Sequence, residues 1–322
     1  MTAGPCLVGI DVSKTTLDVA ILPGTSVLHL ANSPAGWDHL IARLVGVPSP
    51  CIVLEATGSY HVGVTLALAA AGIPASVINP QRIHAFRRSE GIRTKTDRRD
   101  ALLLASFAQQ KHPASTPVLA ENVRNLKELV GCHDDLVKMI TMETNRKQVS
   151  TAISHGFHQA VIDDVKRHKR LVDLAITELI AADPDLTAQD RLLQSVPGIG
   201  WYISAAIIGG FSELGTYSRK AAAAVAGLAP HPCDSGQASG ARRISGGRAD
   251  IRRVLYQMAN TAVVWNPVVR QHYQQLIQRR PRKVALIACA RRMLGILRIM
   301  LRNHITWQET RVATTFAPRN VS

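Results

Sequence analysis

An α/β domain at the N-terminus, followed by a mostly α-helical remainder, is the fold class that this 322-residue chain predicts. Three observations carry it. Short apolar runs alternate with helical stretches in the first third; two long segments of helical periodicity follow; and the last third is a series of helix-forming segments separated by Gly- and Pro-containing turns.

Taken in order, Cys6–Ser13 is an apolar, β-branched run that reads as a buried strand interrupted by one charge, Asp11. A charge there is costly unless something pairs with it. Leu17–Leu22 and Val27–Leu30, separated by Pro23-Gly24, read as two antiparallel partners of that strand. Pro34–Val45 puts Trp37, Leu40, Ile41 and Leu44 on one helical face. Cys51–Ala56 repeats the first signal, an apolar strand ending in the carboxylate Glu55, and leads through Thr57-Gly58 into an Ala/Leu-rich helix, His61–Ala71. A strand at Ala75–Asn79 and a helix at Asp97–Gln110 complete the order β-β-β-α-β-α-β-α. That order is the ribonuclease-H-like, or RuvC-like, arrangement, in which the first and fourth strands lie side by side at the sheet centre.

Asp11 and Glu55 then face each other near one edge, while Asp97 and Asp100, three apart, share a helix face. Four converging carboxylates repel one another, and hard divalent cations with oxygen ligands, Mg²⁺ foremost, resolve the repulsion. Two such ions about 3.5–4 Å apart suit an in-line phosphoryl displacement. Taken singly, Thr94–Asp100 is an ordinary solvated helix start. The four acids in this topological order make the metal-site reading.

Charge points to a polyanionic partner. Lys plus Arg is 38 against 23 for Asp plus Glu, a formal charge of +15. From Arg242 to Arg302 there are fourteen basic residues and one acid, Asp250, and this stretch is expected to hold phosphates through Arg242, Arg243, Arg248, Arg252 and Arg253, with an affinity that falls steeply with salt. A second basic patch, with Arg82, Arg87, Arg88, Arg93, Lys95, Arg98 and Arg99, flanks the carboxylates. Aromatic residues are 4% of the chain, so repeated base stacking is not the expected mode of recognition. No signal peptide and no stretch long enough to span a membrane is read, and the five scattered cysteines read as buried thiols of a cytoplasmic protein, neither disulfide framework nor zinc site.

The organisation expected is a metal-binding domain over 1–118, a long helical hairpin over 119–185 and a C-terminal domain over 186–322. In the middle, Glu121–Ser154 and Gln159–Ala182 read as long helices turning near His155-Gly156, with seams at Leu126, Leu129, His133, Leu136 and Ile140 and at Val161, Val165, His168, Val172, Ala175 and Leu179. Those seams close an antiparallel hairpin or join two protomers. Beyond Asp183-Pro184, Pro197-Gly-Ile-Gly200 fits a helix-hairpin-helix turn or a plain tight turn between helices. A Gly/Ser/Pro-rich stretch from Gly227 to Arg248 is too polar for core and is the kind of long loop that carries function.

Several short motifs in this order resemble the insertion-sequence transposases that join a RuvC-like DEDD domain to a C-terminal serine domain, the group of the pilin-gene invertases and bridge-RNA-guided recombinases. They are Gly9–Lys14, Leu54–Gly58, Lys95–Ala101, Pro197–Gly200, Gly227–Pro230, Asp234–Gly236 and Arg243–Arg248 leading into Ile251–Tyr256. The resemblance covers nearly the whole chain. It implies that Asp11, Glu55, Asp97 and Asp100 bind Mg²⁺, and that Ser235 is a nucleophile forming a transient phosphoserine with DNA. It further implies double-stranded DNA at element ends and target, a non-coding guide RNA, and a homodimer or homotetramer. Ser239 and Ser245 also precede Gly; Ser235 is favoured because it follows Asp234 in the motif. A structure-specific endonuclease using water, or an inactive nucleic-acid-binding regulator, would retain the same carboxylates.

Overall fold

The computed structural model describes residues 6–310 except 25, 57, 93–95, 232–233, 236–237, 240–242 and 309; for Asp97, His231, Asp234, Ser235, Ala238 and Ser239 it describes the backbone alone. The chain divides into two compact units, residues 1–119 and 120–322.

The first unit is built on a five-stranded mixed sheet. Its strands are β1 (Leu7–Val12), β2 (Thr16–Leu22), β3 (Val27–Ala31), β4 (Cys51–Glu55) and β5 (Ala75–Ile78), in the order β3-β2-β1-β4-β5. β1 pairs antiparallel with β2 and parallel with β4, as expected for a ribonuclease-H-like domain. Strict alternation sorts the side chains. Val8, Ile10, Leu17, Val19, Ile52 and Leu54 point to one face and pack with Leu40 and Leu44 of α1 (Pro34–Leu44) and Val64 and Leu68 of α2 (His61–Ala70). Leu7, Val53 and Ile78 point to the other, against α3 (Pro80–Ser89) and α4 (Asp97–Lys111). Helix α3, which the periodicity did not announce, starts where Asn79 accepts a hydrogen bond from the Gln81 N–H and Pro80 occupies the first turn.

Gly9 sets the height of α4 above the sheet. A Cβ there would lie 2.1 Å from the Ala101 carbonyl oxygen and 2.3 Å from the Ala105 nitrogen, so helix backbone rests on strand backbone. Ala20, Ala101 and Ala105, all fully buried, continue that close contact.

The second unit opens with two long helices, α5 (Glu121–Val149) and α6 (Ala152–Ala182), packed as an antiparallel hairpin. The turn lies at Ser150-Thr151, earlier than the His155-Gly156 expected; both residues have extended backbone and Thr151 caps α6, while Gly156 lies inside the helix at a cost of about 1 kcal/mol. The α5 seam falls as expected, with Leu126 and His133 buried. The α6 seam falls in part as expected: Val172 and Leu179 pack against the core and Ile162, Ile176 and Ile180 are buried, whereas Val161 and His168 face outward.

The remaining elements share one core with this hairpin. They are α7 (Pro184–Gln194), α8 (Trp201–Gly210), a 3-10 turn at Ser212–Thr216, α9 (Arg219–Val225), α10 (Ala249–Trp265), α11 (Pro267–Ile277) and α12 (Arg282–Asn303). Between α9 and α10 the chain leaves the helices as two nested ribbons. The outer one pairs β6 (Pro230–His231) with β9 (Arg243–Ile244), and the inner one pairs β7 (Asp234–Ser235) with β8 (Ala238–Ser239). Among the described residues, no helix is long and apolar enough to cross a membrane. Cys289 is buried and its thiol pKa is pushed up to about 11 by burial, but Cys132 is exposed, against the expectation of buried thiols throughout. Cys233 lies outside the described residues.

Candidate active site

The carboxylates collect at one end of the sheet because the register leaves them no other place. Ile10 pairs with Leu54, and the next residues along these parallel strands are Asp11 and Glu55. Both share the face of Gly9, the side covered by α4. That helix runs antiparallel to β1, since Leu104 and Phe107 pack with Leu7 whereas Ala101 meets Gly9. Its N-terminal turn, with Asp97 and Asp100, therefore lies at the Asp11 end. Thr96 caps that turn, its hydroxyl accepting from the Arg99 N–H at 3.4 Å.

Asp100 is 6% exposed and accepts a hydrogen bond at 2.7 Å from Arg87, itself largely buried on α3. Asp97 is on the same turn, two positions into the cap sequence that begins at Thr96; its backbone alone is described. Sequence reasoning missed two neighbours. Asp18 is the cross-strand partner of Asp11, 9% exposed, and the His29 imidazole lies 3.0 Å from its carboxylate. A row His29–Asp18–Asp11–Glu55 thus crosses four strands on one face. Alternation along β2 already put Asp18 on the face of Ala20; the pairing with Asp11 needed the tight Ser13–Thr16 turn, in which the Ser13 hydroxyl accepts from the Thr16 N–H at 2.9 Å.

Among the described residues no three His, Cys, Asp or Glu side chains already form a cage for a metal ion. The fit to a hard divalent ion rests on the donor chemistry: carboxylate oxygens from two adjacent strand ends and one helix turn, with no sulfur or imidazole among the four acids proposed. Arg93 and Lys95 lie outside the described residues; Arg98 and Arg99 are exposed on α4.

The serine segment is closed at its base. Gly227 and Gly247 meet backbone to backbone, a Cβ on Gly247 falling 2.2 Å from the Gly227 nitrogen, and the Arg248 N–H donates to the Val225 carbonyl at 2.8 Å. Both glycines have positive φ, so no other residue fits without strain. Ser235 is the last residue of β7, opposite Ala238, and Ser239 is opposite Asp234. Ser245 lies on the exposed return path towards the base.

Several of the arginines expected on nucleic acid hold the protein's own loops. Arg248 donates to the Gly210 carbonyl at 2.8 Å and to Glu213 at 2.5 Å, and lies over the Phe211 ring. Arg252 donates to the Gly246 carbonyl at 2.7 Å. Arg253 pairs with Asp134 of α5, which also accepts from the Tyr202 hydroxyl. Burial alone would raise the Asp134 pKa, but the His133 imidazole 3.5 Å away, the hydrogen bond from the Tyr202 hydroxyl and the Arg253 charge together hold it below the usual carboxylate range. Burial and the same bond push the Tyr202 phenol up to about 12. His133 stacks on Tyr202 with ring centres 4.4 Å apart, so this histidine is packed between helices. Arg243 stays exposed on β9, and Arg242 lies outside the described residues.

The Pro197–Gly200 turn also serves packing. Gly198 has φ +96°, and a Cβ there would lie 2.8 Å from the Ala262 Cα of α10, so it is the tight contact between helices that requires glycine.

A ribonuclease-H-like sheet with acidic residues at adjacent strand ends is consistent with a DEDD-type transposase domain, here followed by a largely helical unit. Residues 8–149 match a family described as "Transposase", and residues 190–274 match one described as "Transposase IS116/IS110/IS902 family". The chain is 26% identical over 312 residues to the pilin gene-inverting protein of Moraxella bovis, covering 92% of this chain and 96% of that one, and equally so to that of Moraxella lacunata. The chain belongs to the IS110 family of insertion-sequence transposases and is a DNA transposase or recombinase.

Proposed function

We propose that the enzyme excises and inserts a mobile element by Mg²⁺-dependent cleavage and rejoining of DNA through a phosphoserine at Ser235. The observation that supports it most is the placing of Asp11, Glu55 and the N-terminal turn of α4 at one end of the sheet, in a chain whose other unit carries Ser235 at the end of β7. Asp11, Glu55, Asp97 and Asp100 would hold the metal, which when bound polarises a phosphoryl oxygen and lowers the pKa of a coordinated hydroxyl. The serine oxygen forms a bond to phosphorus while the bond to one deoxyribose oxygen breaks, and that leaving oxygen takes up the proton lost by serine. A hydroxyl of the exchanging strand then attacks the phosphoserine and returns the proton, so no external energy source is needed. Among the family's basic residues, Arg98, Arg99 and Arg243 are the exposed described candidates for backbone contacts.

The reading extends to a non-coding guide RNA from the element, which would leave sequence choice to base pairing and the A-form backbone to arginine. It also includes a homodimer or homotetramer joined through α5 and α6, whose tip exposes Val149, Ile153 and Phe157. In that reading residues 119–185 form the assembly element between the metal-binding part, 1–118, and the serine part, 186–322.

The test supplies purified protein, Mg²⁺, the element's RNA and matching DNA, and looks for a denaturation-resistant protein–DNA adduct. The adduct is expected at Ser235 and absent from Ser235→Ala and Asp11→Ala. Cleavage without adduct, unchanged in Ser235→Ala, would instead identify an endonuclease that uses water.

A further inference from the structure

Four cations of the second unit stand apart from those that tie down its loops. Arg243, Arg280, Lys283 and Arg291 converge on a single cavity of about 850 Å³. Leu228, Ile244, Val284 and Ile287 make its apolar floor, and Tyr256 is the aromatic ring beside them; among the described residues no acidic side chain lines it. A concave surface with low-dielectric walls and one sign of charge focuses its field on an anion. The volume lies within the range of ligand-binding pockets, about 300–1,000 Å³.

The occupant must satisfy both halves of this lining. An acidic peptide would neutralise the rim but leave the floor uncovered. The chain's own last residues, 311–322, contain Arg311 and Arg319 and no acid, so they would add to the repulsion. A stacked base pair cannot present a base face to the floor. An unstacked nucleotide offers a flat apolar ring with a phosphate on either side.

The cavity also adjoins the proposed chemistry. Pro230, Arg243 and Ile244 of the outer ribbon form one wall, and the chain from Pro230 to Ser235 spans at most about 17 Å when fully extended. That is roughly the rise of five nucleotides on one strand.

We propose that this cavity captures one unstacked nucleotide of the DNA strand handled at Ser235. Its base lies on the apolar floor beside Tyr256, and its flanking phosphates meet Arg243, Arg280, Lys283 and Arg291. The proposal rests on the reading that Ser235 acts on DNA, and it adds the requirement that the strand be unstacked within a few nucleotides of the linkage.

The experiment titrates full-length protein with a duplex carrying a single extrahelical 2-aminopurine, and with the same duplex carrying an abasic residue at that place. Divalent metal is left out so that no cleavage intervenes. The duplex with the base is expected to bind about tenfold more tightly, the order of magnitude of one base stacked on an aromatic ring, with a change in 2-aminopurine emission. Ala288→Phe, which fills the half-buried cavity wall, should remove the preference and leave the affinity for the abasic duplex as it was. Tyr256→Leu, a milder change, should reduce the preference severalfold at unchanged Tm. Equal affinity of wild type for the two duplexes overturns the proposal, as does a preference that survives in both variants, or competition by an acidic peptide with no preference for the extrahelical base. The titration reads binding without metal and the adduct assay reads covalent linkage, so failure here and failure of the adduct assay are separate results.

Discussion

In the N-terminal unit the charged residues of interest are placed by backbone register, whereas in the C-terminal unit most arginines near the serine segment are placed by what they bind inside the protein. Asp11 and Glu55 follow Ile10 and Leu54 along paired strands, and nothing short of a register slip would separate them. Arg248, Arg252 and Arg253 lie among the basic residues that mark a nucleic-acid surface, yet each donates to a carbonyl or carboxylate of this chain. Counting charge therefore locates a polyanion partner only after internal contacts are subtracted; alternation within a strand needs no such correction.

The comparison predicts unequal consequences of substitution. The largest effect is expected for Glu55→Gln, which keeps shape and removes the charge. Cleavage should fall by at least about a thousandfold, corresponding to several kcal/mol of lost charge stabilisation, at a Tm close to wild type. A loss of only a few-fold would remove Glu55 from the site. Gly9→Ala comes next, with a methyl that has no room between β1 and α4; about 3 kcal/mol of stability should be lost in denaturant titration.

Asp134→Ala is expected to cost about 2 kcal/mol, because Tyr202 and Arg253 lose their shared acceptor while Arg253 stays partly hydrated. Its pH signature is specific. The folded-state pKa of Asp134 lies below its unfolded value, so its contribution is complete above the unfolded pKa near 3.8 and fades as pH falls through the lower, folded one. Asp134→Asn should flatten that acid limb. Tyr202 acts at the other extreme: with its pKa raised from 10.0 to about 12, stability is full below pH 10 and declines between those values, a limb that Tyr202→Phe should abolish.

The smallest effects separate the two kinds of arginine. Arg302→Gln, which loses bonds to the Gly215, Thr216 and Tyr217 carbonyls, should lower Tm by a few degrees and leave the salt dependence of DNA binding alone. Arg280→Gln should do the reverse, reducing the slope of log affinity against log salt by about one. If both variants behave alike, the distinction between internal and cavity-facing cations fails.

The sheet order was legible because β-branched runs, turns and alternation all agree, and with it the positions of Asp11 and Glu55. Helix α3 was legible too, in the Asn79-Pro80 cap, but the pattern of one apolar run after another drew attention from it. The α5–α6 turn was misplaced because Gly156 is a stronger local signal than Ser150-Thr151, although a single exposed glycine costs too little to end a 31-residue helix. Asp18 could not be linked to Asp11 without the register of the β1–β2 turn. The partners of Arg248 and Arg253 are 35 and 119 residues away, beyond any local pattern.

The contact at Gly9 also bears on tolerance to change. Helices usually ride on sheets over a cushion of side chains, and swapping one core residue for another alters the thickness of that cushion. Where α4 crosses β1 there is no cushion, and the gap between the first turn of the helix and the strand end is fixed by main-chain atoms that every sequence shares. Repacking elsewhere in this unit can then change its stability while the spacing of its acidic end is passed on unaltered.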